Sequence, residues 1–187
     1  MAKHSLVTGV TQSGKTTLAR YYSRALLKAK QRVVVYDPLG TSTLGGNWGE
    51  GAEIYDDPFL FLQDMEDGAK ISNCHVFIDE ADEIFSQEQK ENFWILKKGR
   101  HYGLSVWVIT QRPKMVAPTV RNQCADAYLF RLAIQDVKEI AADFGHSNIH
   151  TLELEHGDYI VLHSGYPQYE RGSIHSLPSS QTEKVTK

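Results

Sequence analysis

Residues 9–16 read Gly-Val-Thr-Gln-Ser-Gly-Lys-Thr and match the pattern G-x-x-x-x-G-K-[ST] at every fixed position. In this pattern the glycines let backbone N–H groups turn towards phosphate oxygens, and the helix that follows directs its positive end at the same anion. Residues 4–8 predict a short strand before the loop, and residues 17–27 predict a helix after it. Because this context is present, a chance match by a glycine-containing turn is disfavoured, and the stretch predicts a phosphate-binding loop.

Each position of this phosphate loop (residues 9–16) has an expected role. Lys15 is expected to reach the outer phosphates of a nucleotide, and the hydroxyl of Thr16 is expected to ligate Mg²⁺. The loop therefore predicts that the chain binds a nucleotide with Mg²⁺. The residues expected to contact the nucleotide are Gly9, Thr11, Gln12, Ser13, Gly14, Lys15, Thr16 and Thr17.

The composition is typical of one compact globular domain, with 187 residues, 41% of them hydrophobic and 23% charged. A net charge of −3 excludes an overall basic field, so contact with a nucleic acid would need a local patch. Cys74 and Cys124 lack metal-type spacing and are expected to be free, buried thiols, as in a reducing cytosol. No signal peptide or membrane-spanning apolar run is found. We expect a cytoplasmic protein.

Apolar runs that alternate with helical patterns predict an α/β fold. We expect a RecA-like P-loop NTPase core, a mostly parallel sheet with helices on both faces and a β-hairpin at the C-terminal end. Residues 1–176 are expected to form one domain and residues 177–187 a flexible polar tail. The expected later strands are 32–37, 52–55, 75–80, 104–110 and 127–132, the hairpin strands are 157–162 and 169–174, and the expected helices are 58–70, 86–98 and 135–144.

Two carboxylates follow the third apolar run, where residues 76–80 read Val-Phe-Ile-Asp-Glu, a Walker B pattern. At the strand tip, Asp79 is expected to hold Mg²⁺ through its water shell. Its neighbour Glu80 is expected to polarise the water that attacks the γ-phosphate. The alternative, a surface pair that caps the next helix, is disfavoured by the phosphate loop upstream.

Two further polar residues flank the next strand. Gln111 directly follows it and would lie beside Glu80 if the two strands are neighbours, where an amide can orient the water; the alternative is a turn-forming glutamine. Arg100 precedes that strand and could reach the γ-phosphate of a neighbouring subunit as a finger in trans. Spacing alone leaves equally open that Arg100 binds the carbonyls at the end of its own helix.

These motifs together resemble the FtsK/HerA superfamily. The resemblance is carried by the phosphate loop, the Asp79-Glu80 pair, the stretch Lys98-Gly99-Arg100-His101-Tyr102-Gly103-Leu104 and the strand end Thr110-Gln111-Arg112-Pro113. It implies that Lys15, Glu80, Arg100 and Gln111 are the catalytic residues, and that Thr16 and Asp79 hold the metal. It also implies a Mg²⁺-dependent ATPase that moves double-stranded DNA through a homo-oligomeric ring, usually a hexamer.

We find no pattern of an added domain in these 187 residues, so we expect the chain to be most similar to the small viral genome-packaging ATPases, which would dock on a portal or capsid-vertex protein. A protein of viral origin would act in the host cytoplasm or with the virion. The alternative is a conjugative or chromosome-type translocase, or a virion-assembly ATPase of the same superfamily. Candidate DNA contacts are Asn47 and Trp48 in the glycine-rich segment 39–51, and Lys114 and Arg121 after the fourth strand. A flexible connector and solvated surface charges, respectively, are the alternatives for these two segments.

Other classes are less well supported. Residues 79–82 spell Asp-Glu-Ala-Asp, but no second core and no Ser-Ala-Thr motif accompany them, which disfavours an RNA helicase. No lid-like insertion indicates a small-molecule kinase, and a nucleotide-gated switch would not need Glu80 or Gln111. No Cys/His cluster with metal-type spacing occurs, so no zinc site is expected.

Overall fold

A computed structural model of the chain describes residues 2–40, 47–67, 71–149 and 153–178. Within these ranges eight strands form one sheet in the order β3-β2-β4-β5-β1-β6-β7-β8. The strands are β1 Ser5–Thr8, β2 Val33–Tyr36, β3 Glu53–Tyr55, β4 His75–Ile78, β5 Ser105–Thr110, β6 Asp126–Leu129, β7 Asp158–His163 and β8 Tyr169–Ser173. The helices are α1 Lys15–Lys28, α2 Pro58–Glu66, α3 Trp94–Lys97, α4 Pro118–Arg121 and α5 Ile134–Asp143.

The sheet is parallel from β3 to β6 and antiparallel from β6 to β8, which confirms the predicted parallel core and closing hairpin. Successive residues of the central strands point to opposite faces, so that Leu6 and Val76 belong to one buried cluster and Val7 and Phe77 to the other. Both faces are therefore buried, as expected for a sheet covered on both sides. The predicted α/β fold is confirmed.

The order of the strands positions the site. Strand β5 pairs with β1 on one side and with β4 on the other, all three in parallel. The carboxyl ends of β1, β5 and β4 therefore lie side by side at one edge of the sheet. Ligands of parallel α/β folds bind at this edge.

Local signals explain two of the boundaries. Helix α2 begins at Pro58 because the side chain of Asp57 accepts hydrogen bonds from the N–H groups of Phe59 and Leu60, as its sequence predicts. This helix ends at Glu66, short of the predicted end at residue 70, and residues 68–70 lie outside the described ranges. Residues 134–143 form α5, close to the predicted helix.

The predicted helix 86–98 is wrong as a continuous element. Ser86 Oγ does donate to Gln89 Oε1 at 3.0 Å, and the N–H of Ser86 lies 3.4 Å from the same oxygen, so the local side-chain pairing is present. The backbone that follows forms a 3₁₀ turn at Lys90–Phe93 and then the single turn of α3. Asn92 accounts for the interruption, because its side chain is buried and donates to the carbonyl of Ile84 at 2.9 Å.

The predicted domain boundary after residue 176 stays a prediction. Leu177 is half-buried and packs against the cluster that contains Val7 and Phe77, so this residue belongs to the folded part. The rest of the predicted tail, from residue 179, lies outside the described ranges. Cys74 and Cys124 are buried and free, as predicted. Among the described residues, no helix has both the length and the apolar character needed to cross a membrane.

Candidate active site

The phosphate loop joins β1 to α1 at the carboxyl edge of the sheet. Gly14 immediately precedes α1 with φ of 109°, a left-handed conformation that favours glycine, and no side chain caps the helix there. The N–H groups of the first helical turn therefore have no intrahelical partner and are oriented towards the loop. This is the backbone arrangement that binds a phosphate anion.

Two buried side chains of the loop fit a bound phosphate. Lys15 is 9% exposed, and its Nζ donates to the carbonyl of Val10 at 2.9 Å, which holds the ammonium over the loop. Burial lowers the pKa of Lys15, whereas the nearby carboxylates of Asp79 and Glu80 act in the opposite direction. Among the described residues, the buried Oγ of Ser13 has no hydrogen-bond partner, as expected of a donor that faces an anionic ligand.

The metal-binding residues that the sequence predicts come together in the structure. The Oγ1 of Thr16 donates to Oδ2 of Asp79 at 3.2 Å, across 63 residues of sequence. Burial raises the pKa of Asp79, and the nearby Asp37 raises it further. A hydroxyl and a carboxylate in contact, beside a concentration of negative charge, provide the oxygen ligands that Mg²⁺ prefers, and the residues present therefore fit this ion.

The carboxylate of Glu80 lies next to this pair. Glu80 itself adopts φ of 49°, an unusual conformation for a non-glycine residue and one found at functional sites. Burial raises the pKa of Glu80, as do the neighbouring Asp79 and Asp82, while Lys15 opposes the shift. A carboxylate with a raised pKa is a better proton acceptor at neutral pH.

Gln111 links the phosphate loop to Glu80. Its Oε1 accepts a hydrogen bond from the hydroxyl of Thr11 at 2.6 Å, and its Nε2 lies 3.4 Å from both carboxylate oxygens of Glu80. The sequence predicts this position on the condition that the two strands are neighbours, and β4 and β5 do pair. The side chains predicted for phosphate binding, metal binding and catalysis therefore lie together, with one exception, Arg100.

Arg100 lies at the opposite edge of the sheet. It lies in the 3₁₀ turn Gly99–Tyr102 before β5, is exposed, and donates from Nη2 to the carbonyl of Gln123 at 2.6 Å. Its charge also acts on the buried His4, which immediately precedes β1. Since the phosphate loop follows the carboxyl end of β1, Arg100 cannot reach the loop of its own chain.

The structure corrects two of the four candidate DNA contacts. Trp48 is 1% exposed, and its Nε1 donates to Asp37 at 2.8 Å, so the indole is part of the core. Arg121 is 2% exposed and is bonded to Asp143 and Glu139 at 2.7 and 2.8 Å. Neither side chain is available to a DNA phosphate, and Arg121 is not a solvated surface charge either.

The other two candidates are exposed. Asn47 Oδ1 accepts from the N–H of Gly49 at 2.8 Å, and Lys114 forms an ion pair with Asp136 at 2.9 Å. Most of the glycine-rich segment around Asn47, residues 41–46, lies outside the described ranges. In the described ranges, the charge of Lys114 is thus paired with that of Asp136. Asn47 has no positive charge with which to attract a DNA phosphate.

Two residues near the loop were not predicted from the sequence. His156, in the turn before β7, and Ile174, directly after β8, line a cleft of about 150 Å³. The other lining residues are Gln12, Gly14, Lys15 and Thr16 of the loop, and Thr17 after it. Neither belongs to a motif, and both are at least 140 residues from the loop along the chain. Only the pairing of the closing hairpin brings them to this edge.

A phosphate loop at the switch point of a mostly parallel sheet, with a carboxylate pair on a nearby strand end, defines a P-loop NTPase fold. The family model for zonular occludens toxin (Zot) matches residues 53–152, more than half of the chain. The protein therefore belongs to the Zot family. No match was found among curated proteins.

Two of the solved structures that match this chain have the same fold. The genome packaging NTPase B204 from Sulfolobus turreted icosahedral virus 2, in complex with AMPPCP, superposes with a TM-score of 0.73 at 19% identity, covering 91% of this chain and 96% of that one. The conjugation coupling protein TcpA of pCW3, with ATPγS, gives 0.69 at 17% identity over 92% of this chain and 60% of that one. The N-terminal domain of zonular occludens toxin from Neisseria meningitidis gives 0.49 at 18% identity, over 76% and 91%. The first two matches confirm the predicted fold.

Proposed function

We propose that this protein is a Mg²⁺-dependent ATPase whose hydrolysis site consists of the phosphate loop and the ends of β4 and β5. The observation that carries the proposal is the contact series Thr11–Gln111–Glu80, which places a proton acceptor and an orienting amide beside the loop. A protein that only bound nucleotide would need neither side chain.

Each side chain has one part in the reaction. The ammonium of Lys15 neutralises charge on the outer phosphates, and Thr16 and Asp79 hold the metal through oxygen atoms. When bound, Mg²⁺ withdraws charge from the phosphate oxygens. Gln111 orients a water molecule, and Glu80 accepts its proton as the oxygen attacks the γ-phosphorus. The bond to the β-phosphate oxygen then breaks, with ADP as the leaving group.

We further propose that hydrolysis drives the movement of double-stranded DNA, as a viral genome-packaging motor. Support comes from the likeness to B204 and TcpA, whose names state genome packaging and conjugation coupling. The protein would act on a portal or capsid-vertex protein as a homo-oligomeric ring, which the superfamily resemblance implies to be a hexamer. The alternative functions are conjugative or chromosome-type DNA transfer and virion assembly, which the same hydrolysis site would serve equally well.

The position of Arg100 supports the ring. The guanidinium is exposed at the amino edge of the sheet, away from its own phosphate loop. In a ring, that edge of one copy could face the loop of the next, where Arg100 would stabilise the developing charge on the γ-phosphate. Its hydrogen bond to the carbonyl of Gln123 would have to be released or shared.

Phosphate release in the presence of ATP and Mg²⁺ tests the proposed activity. Glu80→Gln should retain ATP binding but lose at least about a hundredfold in turnover, because the proton acceptor is removed. Glu88→Gln, at an exposed carboxylate outside the site, is the matched control and should hydrolyse ATP normally. Equal turnover by Glu80→Gln and the unmodified protein would contradict the proposed role of this residue.

The ring and the DNA are tested by the dependence of turnover on protein concentration, with and without long duplex DNA. A steep dependence with stimulation by duplex DNA is expected, whereas turnover indifferent to any DNA would favour virion assembly. Arg100→Ala should bind ATP but turn it over slowly. Mixing it with Glu80→Ala should restore activity, because mixed rings contain sites with both groups intact. An absence of rescue at every ratio would argue against action in trans.

A further inference from the structure

The two sides of the phosphate loop carry different chemistry. Strands β5 and β4 lie on one side of β1, and their ends provide Gln111 and Glu80. Strands β6, β7 and β8 lie on the other side. Because β7 and β8 pair with Asp158 opposite Ser173, His156 and Ile174 are brought to the same edge of the sheet as the loop.

This asymmetry fixes the direction of a bound nucleotide. If Glu80 and Gln111 act at the γ-phosphate, as proposed above, the triphosphate begins on the β5 side of the loop. The α-phosphate then lies towards Thr17 at the start of α1, and the nucleoside continues towards β6 to β8. On that side of the loop, in the described part of the chain, His156 and Ile174 line the cleft beside the start of α1.

We propose that His156 and Ile174 form the binding wall for the nucleobase, a subsite for a flat aromatic heterocycle. This inference rests on the proposed function, because the direction of the nucleotide follows from the position of the catalytic groups. The half-buried side chain of Ile174 offers an aliphatic surface, and the exposed imidazole of His156 offers a ring face on which a base can stack.

The wall is held rigidly against the loop. A Cβ on Gly14 would lie only 3.0 Å from Cδ1 of Ile174, so the isoleucine is in close contact with the loop backbone. The N–H of Ile174 donates to the carbonyl of Gly157 at 2.9 Å, and Nε2 of His175 donates to the carbonyl of His156 at 2.9 Å. These two bonds fix the turn before β7 to the segment after β8.

Gly157 allows this close approach. Its φ is 87°, and a Cβ there would lie 2.6 Å from Nε2 of His175 and 2.7 Å from Cγ1 of Ile174. A side chain at this position would push the two segments apart. The close packing defines one geometry for the wall before any nucleotide binds, which lowers the entropic cost of ordering it on binding.

The chemistry of the wall predicts how it selects a base. A ring face and an aliphatic surface recognise the flat face of a base, and every base has such a face. The subsite should therefore prefer purines, which have the larger ring system, over pyrimidines. It should discriminate only weakly between adenine and guanine, because the wall itself provides no group dedicated to their edges.

Calorimetric titration of the full chain with ADP and, separately, with inorganic tripolyphosphate isolates the base. His156→Ala and Ile174→Ala should each bind ADP about tenfold more weakly, since a lost stacking surface is of that order. Both should bind tripolyphosphate like the unmodified protein. His156→Phe keeps a ring and should restore ADP affinity. The matched controls are Tyr166→Ala and Ile134→Ala, at exposed residues outside the site, and they should change neither affinity.

The remaining outcomes separate the two proposals. Unchanged ADP affinity in His156→Ala and Ile174→Ala would overturn the base wall and leave the ATPase proposal standing. An equal loss for ADP and tripolyphosphate would also overturn it, because the loop rather than the base contact would be affected. If the unmodified protein bound neither compound, the proposed function itself would be wrong and the wall would have no ligand. A preference for CDP over ADP would equally contradict the inference.

Discussion

Gln111 lies with its amide nitrogen 3.4 Å from both carboxylate oxygens of Glu80. The two residues follow neighbouring strands, β5 and β4, and are 31 positions apart in the chain. The amide oxygen of Gln111 accepts a hydrogen bond from the hydroxyl of Thr11, so the side chain bridges the phosphate loop and the expected proton acceptor. The side chain of Gln111 therefore lies between the loop proposed to bind the γ-phosphate and the carboxylate proposed to accept a proton from the attacking water.

Replacing Gln111 by leucine should remove this bridge while retaining a side chain of similar volume. ATP binding should remain within about threefold, and turnover should fall by about 10²-fold or more, because only the orientation of the water is lost. Binding is measured by calorimetry and turnover by phosphate release. The control is Gln89→Leu, whose amide contacts Ser86 outside the site. A variant with weak binding but normal turnover at saturation would contradict an orienting role.

Asp79→Asn should stabilise the nucleotide-free protein at neutral pH. Burial and Asp37 raise the pKa of Asp79, so the native state holds the proton more tightly than the unfolded chain does. The stability linked to this group is therefore present below the pKa of the unfolded chain, roughly 3.9, and is lost as the pH rises through the folded pKa. Asparagine carries no charge, so this loss of stability does not occur in the variant. Its free energy of unfolding near pH 7 should be higher than that of the unmodified protein by on the order of 1 kcal/mol.

The same variant should lose Mg²⁺-dependent hydrolysis, because one oxygen ligand loses its charge. Chemical denaturation at several pH values and phosphate release measure the two effects. The stability difference between the variant and the unmodified protein should shrink as the pH approaches 4. A lower stability of Asp79→Asn at neutral pH would contradict the account of the buried charge.

His4 should make the protein sensitive to mild acid. Its Nδ1 accepts from the N–H of Val106 at 3.1 Å, and its Nε2 donates to the carbonyl of Leu96 at 3.0 Å, which requires the neutral ring. Burial, and secondly the charge of Arg100, lower the pKa of His4 to about 4. The unfolded chain binds the proton first, so stability falls as the pH drops below about 6.5.

Because the unfolded chain takes up a proton at His4 that the folded protein does not, the free energy of unfolding should fall by about 2 kcal/mol between pH 7 and pH 5. His4→Leu should be less stable at pH 7, because two backbone groups lose their partner, but its stability should vary less over this pH range. Urea denaturation at both pH values measures the slope. His101→Leu, at an exposed histidine, serves as the control. An unchanged slope in His4→Leu would show that other groups cause the acid sensitivity.

Arg121→Met should destabilise the fold strongly. The guanidinium of Arg121 binds Asp143, Glu139 and the carbonyls of Pro113 and Val116, the last two at 3.0 Å, so its removal leaves several acceptors without a partner. The expected loss is about 3–5 kcal/mol of unfolding free energy. Lys114→Met, at the exposed cation of the same cluster, should leave the urea midpoint nearly unchanged. Similar midpoints for the two variants would contradict a structural role for Arg121.

Much of the site could be predicted from the sequence because its chemistry is local. The phosphate loop requires glycines, a lysine and a hydroxyl at fixed spacing, and these have the same geometry wherever a strand precedes and a helix follows. The Asp79-Glu80 pair and Gln111 could be located because each directly follows an apolar run. The prediction of a continuous helix over residues 86–98 was wrong because its outcome was not local. The buried hydrogen bond from Asn92 to the carbonyl of Ile84 depends on tertiary packing rather than on helix propensity.

Charged and aromatic residues were less predictable. Trp48 and Arg121 were expected at a DNA surface, but a lone tryptophan or arginine outside a periodic apolar pattern carries no signal for burial. Their positions depend on distant carboxylates, Asp37 for Trp48 and Asp143 for Arg121. His156 and Ile174 could not be found at all, because no spacing rule connects them to residues 9–16.

By itself, the sequence determined the type of fold and the set of residues proposed to bind phosphate and metal, because periodic apolar runs and short motifs encode local structure. The tertiary structure alone decided which segments lie side by side. Strand β5 lies between β1 and β4, which brings Gln111 to Glu80, and the closing hairpin brings Ile174 to Gly14. It also decided that Arg100 faces away from its own loop. These relationships depend on the order of strands in the sheet, and that order follows from how all the apolar faces pack together rather than from any one segment.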